Sequence, residues 1–253
     1  MRKQTDDPMP SGMPDMSTTT QVDQHHAAGV TTLTLDDGKA NVMTLPMLHA
    51  LDTALARAQS EAAAVVLTGR ARTFSGGFDL AAFRRGGPDL VALLESGARL
   101  AARLLGYPRP VVVACNGHAV AMGALLLLVA DHRLCASADL RIQLNEVHSG
   151  LTMPRFAIAL CRQRLATPQQ HAAVATSRPF GPNEAMTAGF FDELAEPDGL
   201  LQRARTVAGQ LGALPAAAFE RTKRRLAHPH LLSLDQAIAD DVREWQAMVA
   251  AGT

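Results

Sequence analysis

Residues 110–130 read Pro-Val-Val-Val-Ala-Cys-Asn-Gly-His-Ala-Val-Ala-Met-Gly-Ala-Leu-Leu-Leu-Leu-Val-Ala. The run Pro110–Ala114 is short, apolar and β-branched, as a strand buried on both faces is. Asn116-Gly117-His118 then turns the chain. From Gly123 to Ala130 every side chain is apolar or absent, which predicts a helix buried on all sides. A strand, a loop of small residues and an apolar helix make one unit of an α/β fold.

The same design recurs upstream. Ala63–Thr68, with Val65, Val66 and Leu67, predicts a second buried strand, and the glycine-bearing loop Phe74-Ser75-Gly76-Gly77-Phe78-Asp79 follows it. Val30–Leu35 alternates Thr and Leu with a strand period, and Asp36-Asp37-Gly38 makes a turn. Helices are expected from Pro46, with Leu48, Leu51 and Leu55 on one face, and from about Pro88 to Leu105. From Pro154 nearly everything reads as helix, including Pro182–Ala188 and Leu234–Val249. Leu234, Ile238, Val242 and Trp245 form an apolar stripe suited to core packing. Three regions result: a disordered extension over 1–28, an α/β core over 29–195 and a helical region over 196–253.

The chain has 253 residues, 47% hydrophobic and 19% charged, enough for a sizeable core. Its 24 basic and 24 acidic side chains balance, and aromatic residues are only 4%, so neither a basic footprint nor a stacking platform for nucleic acid is present. Cys115, Cys135 and Cys161 are odd in number, lack CxxC spacing and lie in apolar stretches, which suits buried thiols in a reducing compartment. Neither a signal peptide nor a membrane span is expected, so a cytoplasmic location is the simplest reading. His25–His26 reads as incidental, and no metal site is expected.

Each small-residue loop follows an apolar strand, and small residues let a ligand approach the backbone. A helix start beyond such a loop presents free N–H groups to negative charge. Two such loops side by side could hold one oxyanion.

Thr73–Leu80, Pro110–Gly123, Asp131-His-Arg-Leu, Leu144-Asn-Glu-Val and Arg178–Ala185 together resemble the crotonase (enoyl-CoA hydratase/isomerase) superfamily over about residues 30–250. The resemblance implies a crotonase-like fold of repeated ββα units with a helical C-terminal trimerisation region. It also implies an acyl-CoA thioester as ligand and a homotrimer or dimer of trimers. Coenzyme A would enter as part of the substrate, with no separate cofactor. By the same resemblance, the backbone N–H groups of Phe78 and Met122 form an oxyanion hole. Lys39, Ala40 and Val42 would then lie along the CoA moiety, with Ser75 and Gly77 nearby. Many relatives have three glycines where this chain has Ala121-Met122-Gly123. Met there restricts φ and adds bulk near the acyl chain.

Hydratases of the family use two glutamates. The first position is Leu125 here, and the second is Glu146. One carboxylate and an oxyanion hole suffice for a proton shift, as in the delta-3,delta-2-enoyl-CoA isomerases that this chain resembles locally. A glutamate among Leu144, Val147 and Leu151 is expected to be desolvated, with a raised pKa. The bland alternative is a structural carboxylate capping the next segment. His118 and Asp192 read as structural, and the reach of His148 is open. Asp79 either shapes its loop or approaches substrate, and Ser75 lacks the partners of a nucleophile. Three functions compete: an isomerase using Glu146, a hydratase or other enolate-forming enzyme, and a catalytically silent acyl-CoA binder.

Overall fold

The computed structural model describes residues 21–252, apart from 62 and 71. Val22–Ala27 (β1) and Val30–Leu35 (β2) form an antiparallel hairpin. Ala28 (φ 50°) and Gly29 (φ 72°) make its two-residue turn, where a positive φ at both positions matches the twist of the strands. This corrects the expected start of structure, because residues 22–27 are a strand rather than part of an extension. β1 lies at a sheet edge with mostly polar, part-exposed side chains, so it carries no apolar signal. His26 is tied in locally, with Nδ1 2.9 Å from Thr31 Oγ1 and 3.1 Å from Glu61 Oε2. Residues 1–20 of the expected extension lie outside the described residues.

Val42–Met43 (β3) leads into Leu45–Ser60 (α1), whose first turn is capped by Thr44 Oγ1 accepting from the Met47 N–H at 3.2 Å. Next come Ala64–Gly69 (β4), Arg72–Ser75 (β5), Gly77–Phe78 (β6), Leu80–Arg85 (α2) and Gly87–Leu105 (α3). The pattern repeats with Val111–Cys115 (β7), Gly117–Val120 (β8) and Met122–Leu127 (α4). His132–Ala136 (β9) and Ile142–Gln143 (β10) precede the helices Arg155–Arg164 (α5), Thr167–Val174 (α6) and Pro182–Ala188 (α7). Glu193–Ala195 (β11), Leu200–Gly212 (α8) and Ala216–Ala251 (α9) complete the chain.

One sheet has the order β1-β2-β4-β7-β9-β11 and is parallel except at β1. Its central strands β4 and β7 are buried throughout, which is why they read as unbroken apolar runs. A second, parallel sheet has the order β10-β8-β5, and β3 pairs with β6 in a third. The ββα units and the long C-terminal helix are those that the resemblance implies.

Two late elements differ from the sequence reading. β11 interrupts the expected helical stretch and adds the sixth strand; at three residues it is too short to show a period. α9 begins well before Leu234 and runs for 36 residues through Pro229. The apolar stripe does pack inward, with Leu234 and Ile238 buried. On the same helix, buried Asp241 accepts from the backbone N–H groups of Arg155 and Phe156 at 3.0 and 2.9 Å, capping α5. Asp192 is structural as expected, since its carboxylate accepts from Arg133 Nε and Nη2 at 2.9 and 2.6 Å.

Candidate active site

Three parallel neighbours, β5, β8 and β10, end side by side. Ser75 pairs with Ala119, and Val120 pairs with Gln143. The chain leaves these strands into Gly77–Phe78, Ala121–Met122 and Leu144–Glu146 respectively. Strands lie about 4.8 Å apart, so the topology brings the three segments singled out in the sequence to one edge. Central β8 is bound to β10 beyond the ladder as well, because the Ala121 N–H donates to Gln143 O at 2.9 Å.

The first two loops touch through backbone. A Cβ built on Gly77 would lie 2.8 Å from Val120 O and 3.3 Å from Met122 N, so only glycine allows this approach, and its φ of +88° also favours glycine. A Cβ on Gly123 would likewise stand 2.4 Å from Ser75 O. Met122 opens α4, where first-turn N–H groups have no partner within the helix. The backbone restriction expected at Met122 falls instead on Ala121, the N-cap residue, at φ 50° and ψ −123°. Met122 itself is helical and its side chain is buried. In the β3–β6 pairing the Asp79 N–H donates to Met43 O at 3.3 Å.

The Lys39–Val42 segment is held from beneath by residues that motif reading passed over. Asp37 accepts from the N–H groups of Lys39 (2.7 Å), Asn41 (2.8 Å) and Val42 (2.8 Å). Burial raises the Asp37 carboxyl pKa, but these three bonds outweigh that, and it lies below the usual carboxylate value. Asn41 is buried at φ 51° and donates from Nδ2 to Thr73 O and Phe74 O, both at 3.1 Å. Ser75 Oγ donates to Asn41 O at 2.7 Å and accepts from the Gly77 N–H at 3.2 Å. Ser75 therefore fastens the loop through these two bonds. Ala40 O accepts from the Gly76 N–H at 2.8 Å, while the side chains of Lys39 and Ala40 are exposed.

Asp79 shapes its loop: Oδ1 caps α2 by accepting from the Ala81 N–H at 2.8 Å. Leu125 is buried in α4. His118 Nδ1 accepts from the Arg141 N–H at 2.9 Å, a structural bond. His148 is exposed, and its backbone N–H donates to Ser177 Oγ at 3.2 Å.

Glu146 stands at the N-cap of the 3-10 turn Val147–Ser149, yet its side chain makes no capping bond. Its Oε2 is buried without a hydrogen-bond partner among the described residues. Burial pushes the carboxyl up to about 7, opposed only by the residue's own backbone N–H. Buried Leu144 precedes it, and part-buried Leu151 donates its N–H to Glu146 O at 2.9 Å. Val147 is 44% exposed, so it does not enclose the carboxyl as the sequence reading expects. Cys161 of α5, a buried thiol, is close enough to feel the carboxylate: burial, then the charge of Glu146, push its thiol up to about 12.

A family described as enoyl-CoA hydratase/isomerase matches residues 25–251. The chain belongs to this family. Among solved structures it is similar to an enoyl-CoA hydratase/isomerase family protein from Pseudomonas syringae, at 37% identity and TM-score 0.87 over 90% of this chain and 99% of that one. It is similar to an enoyl-CoA isomerase of Mycobacterium tuberculosis, at 36% identity and TM-score 0.85 over 89% and 98%. It is equally similar to an enoyl-CoA hydratase from Mycobacterium ulcerans, at 36% and 0.85 over 89% and 99%. The protein is thus a crotonase-family acyl-CoA enzyme whose relatives carry both reaction names, with hydratase the commoner.

A groove of about 410 Å³ runs between α2, α3 and the end of α9. Phe83, Leu90, Leu94 and Trp245 give it an apolar lining, with Arg84 and Arg85 at its rim. Among the described residues no helix is long and apolar enough to cross a membrane.

Proposed function

We propose that the protein is an enoyl-CoA isomerase that shifts the double bond of 3-enoyl-CoA to the 2-position, with Glu146 as its one acid/base group. The Glu146 carboxylate takes a proton from C2. The electron pair left behind delocalises onto the thioester oxygen, which the N–H groups of Phe78 and Met122 stabilise. The protonated Glu146 then delivers the proton to C4, and the double bond comes to rest between C2 and C3. Each oxyanion donor is worth about 2.7–4 kcal/mol, and a positioned general base about 100- to 10,000-fold.

What carries this reading is the Glu146 carboxyl, whose Oε2 is buried without a partner among the described residues and which does not cap the turn it begins. A carboxyl with a pKa near 7 is half ionised at neutral pH, as a base for a weakly acidic carbon requires. The position of a second glutamate is held by Leu125, buried in α4, which cannot orient a water. The CoA moiety would then lie along Lys39, Ala40 and Val42, past Ser75 and Gly77, and the acyl tail would leave through the groove toward Trp245.

Hydration is the second reading, favoured by the names that most similar proteins bear. Assays of wild type and Glu146→Gln with 3-enoyl-CoA and 2-enoyl-CoA separate the possibilities. Isomerisation that disappears in the variant supports the proposal. Hydration at comparable efficiency overturns it, and tight binding of acyl-CoA without turnover of either substrate indicates a silent binder. Assembly as a homotrimer or dimer of trimers belongs to the same reading. The exposed Leu226 and Leu232 of α9 would be covered by neighbouring subunits, and light scattering measures the mass.

A further inference from the structure

Gly97 sits within the 19-residue helix α3, where glycine is a poor helix former and alanine would serve the helix better. What lies opposite accounts for it. A Cβ built on Gly97 would stand 2.4 Å from Phe78 Cζ and 2.5 Å from Cε1, far inside van der Waals contact. The same Cβ would lie 3.6 Å from Met122 Cε, an ordinary contact. One glycine on a distant helix thus faces the side chains of both residues whose backbone N–H groups are assigned to the oxyanion. Gly97 is buried, and Leu93, Leu94, Ala98, Leu100 and Ala101 around it are also buried, so α3 has little freedom to withdraw.

We propose that Gly97 is a positioning residue for the oxyanion hole: the bare helix backbone at this point receives the Phe78 ring and so sets where the Phe78 N–H stands relative to that of Met122. This rests on the proposed role of Phe78 and Met122. A methyl group at 97 must push the ring outward by about an ångström. The ring hangs from the two-residue strand β6, which is held on one side by β3 and touches Val120 and Met122 through Gly77. The backbone N–H moves by less than the ring tip, so the loss stays at or below the order of 100-fold that a displacement of about 1 Å at a reacting centre costs.

The test is steady-state isomerisation of 3-enoyl-CoA by wild type, Gly97→Ala, Phe78→Leu and the double variant, with thermal unfolding of each. The expected result is a kcat about 10- to 100-fold lower in Gly97→Ala, KM within about threefold, and an unfolding midpoint close to wild type. The smaller leucine removes the clashing ring atoms, so in the double variant kcat should return to that of Phe78→Leu alone. An unchanged kcat in Gly97→Ala, a loss confined to KM, or no recovery in the double variant overturns the proposal. If Gly97→Ala does not fold, a folded double variant with the kcat of Phe78→Leu supports it, and an unfolded double variant overturns it. A wild type inactive on 3-enoyl-CoA would instead refute the isomerase reading, which keeps the two failures apart.

Discussion

The Ala121 N–H donates to the Gln143 carbonyl at 2.9 Å, which couples the turn that presents Met122 to the strand that delivers Glu146. Three residues beyond Gln143, Oε2 of Glu146 is buried without a partner among the described residues. One backbone bond therefore relates the assigned electrophilic and basic parts of the site. Ala121 makes that bond from a positive φ, at a cost of about 1–3 kcal/mol for a residue with a Cβ.

Relieving that strain should stabilise the protein. Ala121→Gly loses about 0.5–1 kcal/mol to the greater freedom of the unfolded chain, which the removed strain outweighs. The expected outcome is an unfolding midpoint a few degrees above wild type, with Ala121→Val below it. Calorimetry of the three proteins checks the order.

The raised pKa of Glu146 has a thermodynamic consequence. Below about pH 4.5 the carboxyl is protonated in both folded and unfolded chains and contributes nothing. Between its ordinary value and about 7 the folded protein keeps a proton that the unfolded chain releases, so stability falls as pH rises. Above about pH 7 the deficit is complete, on the order of 3–4 kcal/mol. Glu146→Gln removes the ionisation, so its stability advantage should be small at pH 4.5 and grow to several degrees at pH 8. An advantage that does not change with pH would count against the buried, ionisable carboxyl.

The same group should govern the pH profile of catalysis. A base must be ionised in the free enzyme, so kcat/KM for 3-enoyl-CoA should rise with an apparent pKa of about 7 and then level off. Initial rates between pH 5 and 9 measure it, and a limb with an apparent pKa near 4.5 would contradict the desolvated site.

Asp37 should matter for binding more than for chemistry. Its carboxylate gathers three N–H groups of the Lys39–Val42 segment, and Asp37→Ala leaves them without it. KM for the CoA substrate should rise about tenfold with kcat changed far less, and stability should fall by about 1–3 kcal/mol. Kinetics of the variant with one acyl-CoA decide it.

What was legible from sequence was local. Apolar strands ending in small-residue loops mark the two loops, and the family resemblance assigns Phe78, Met122 and Glu146 their expected roles. What was hidden depends on contacts between distant residues. Asn41 bonds carbonyls 32 and 33 residues away, and Gly97 reads as an indifferent helix position until Phe78 is seen beside it. β1 is polar because it is an edge, and β11 is too short to show a period. The backbone restriction expected at Met122 falls one residue earlier because helix α4 begins at Met122, which leaves the turn to Ala121.

The most direct measurement compares kcat/KM of the wild-type protein for isomerisation of 3-enoyl-CoA and for hydration of 2-enoyl-CoA of the same chain length. Catalysis by a single carboxylate predicts isomerisation favoured by about 100-fold or more, within the span that one general base supplies. Hydration equal to or faster than isomerisation would contradict it.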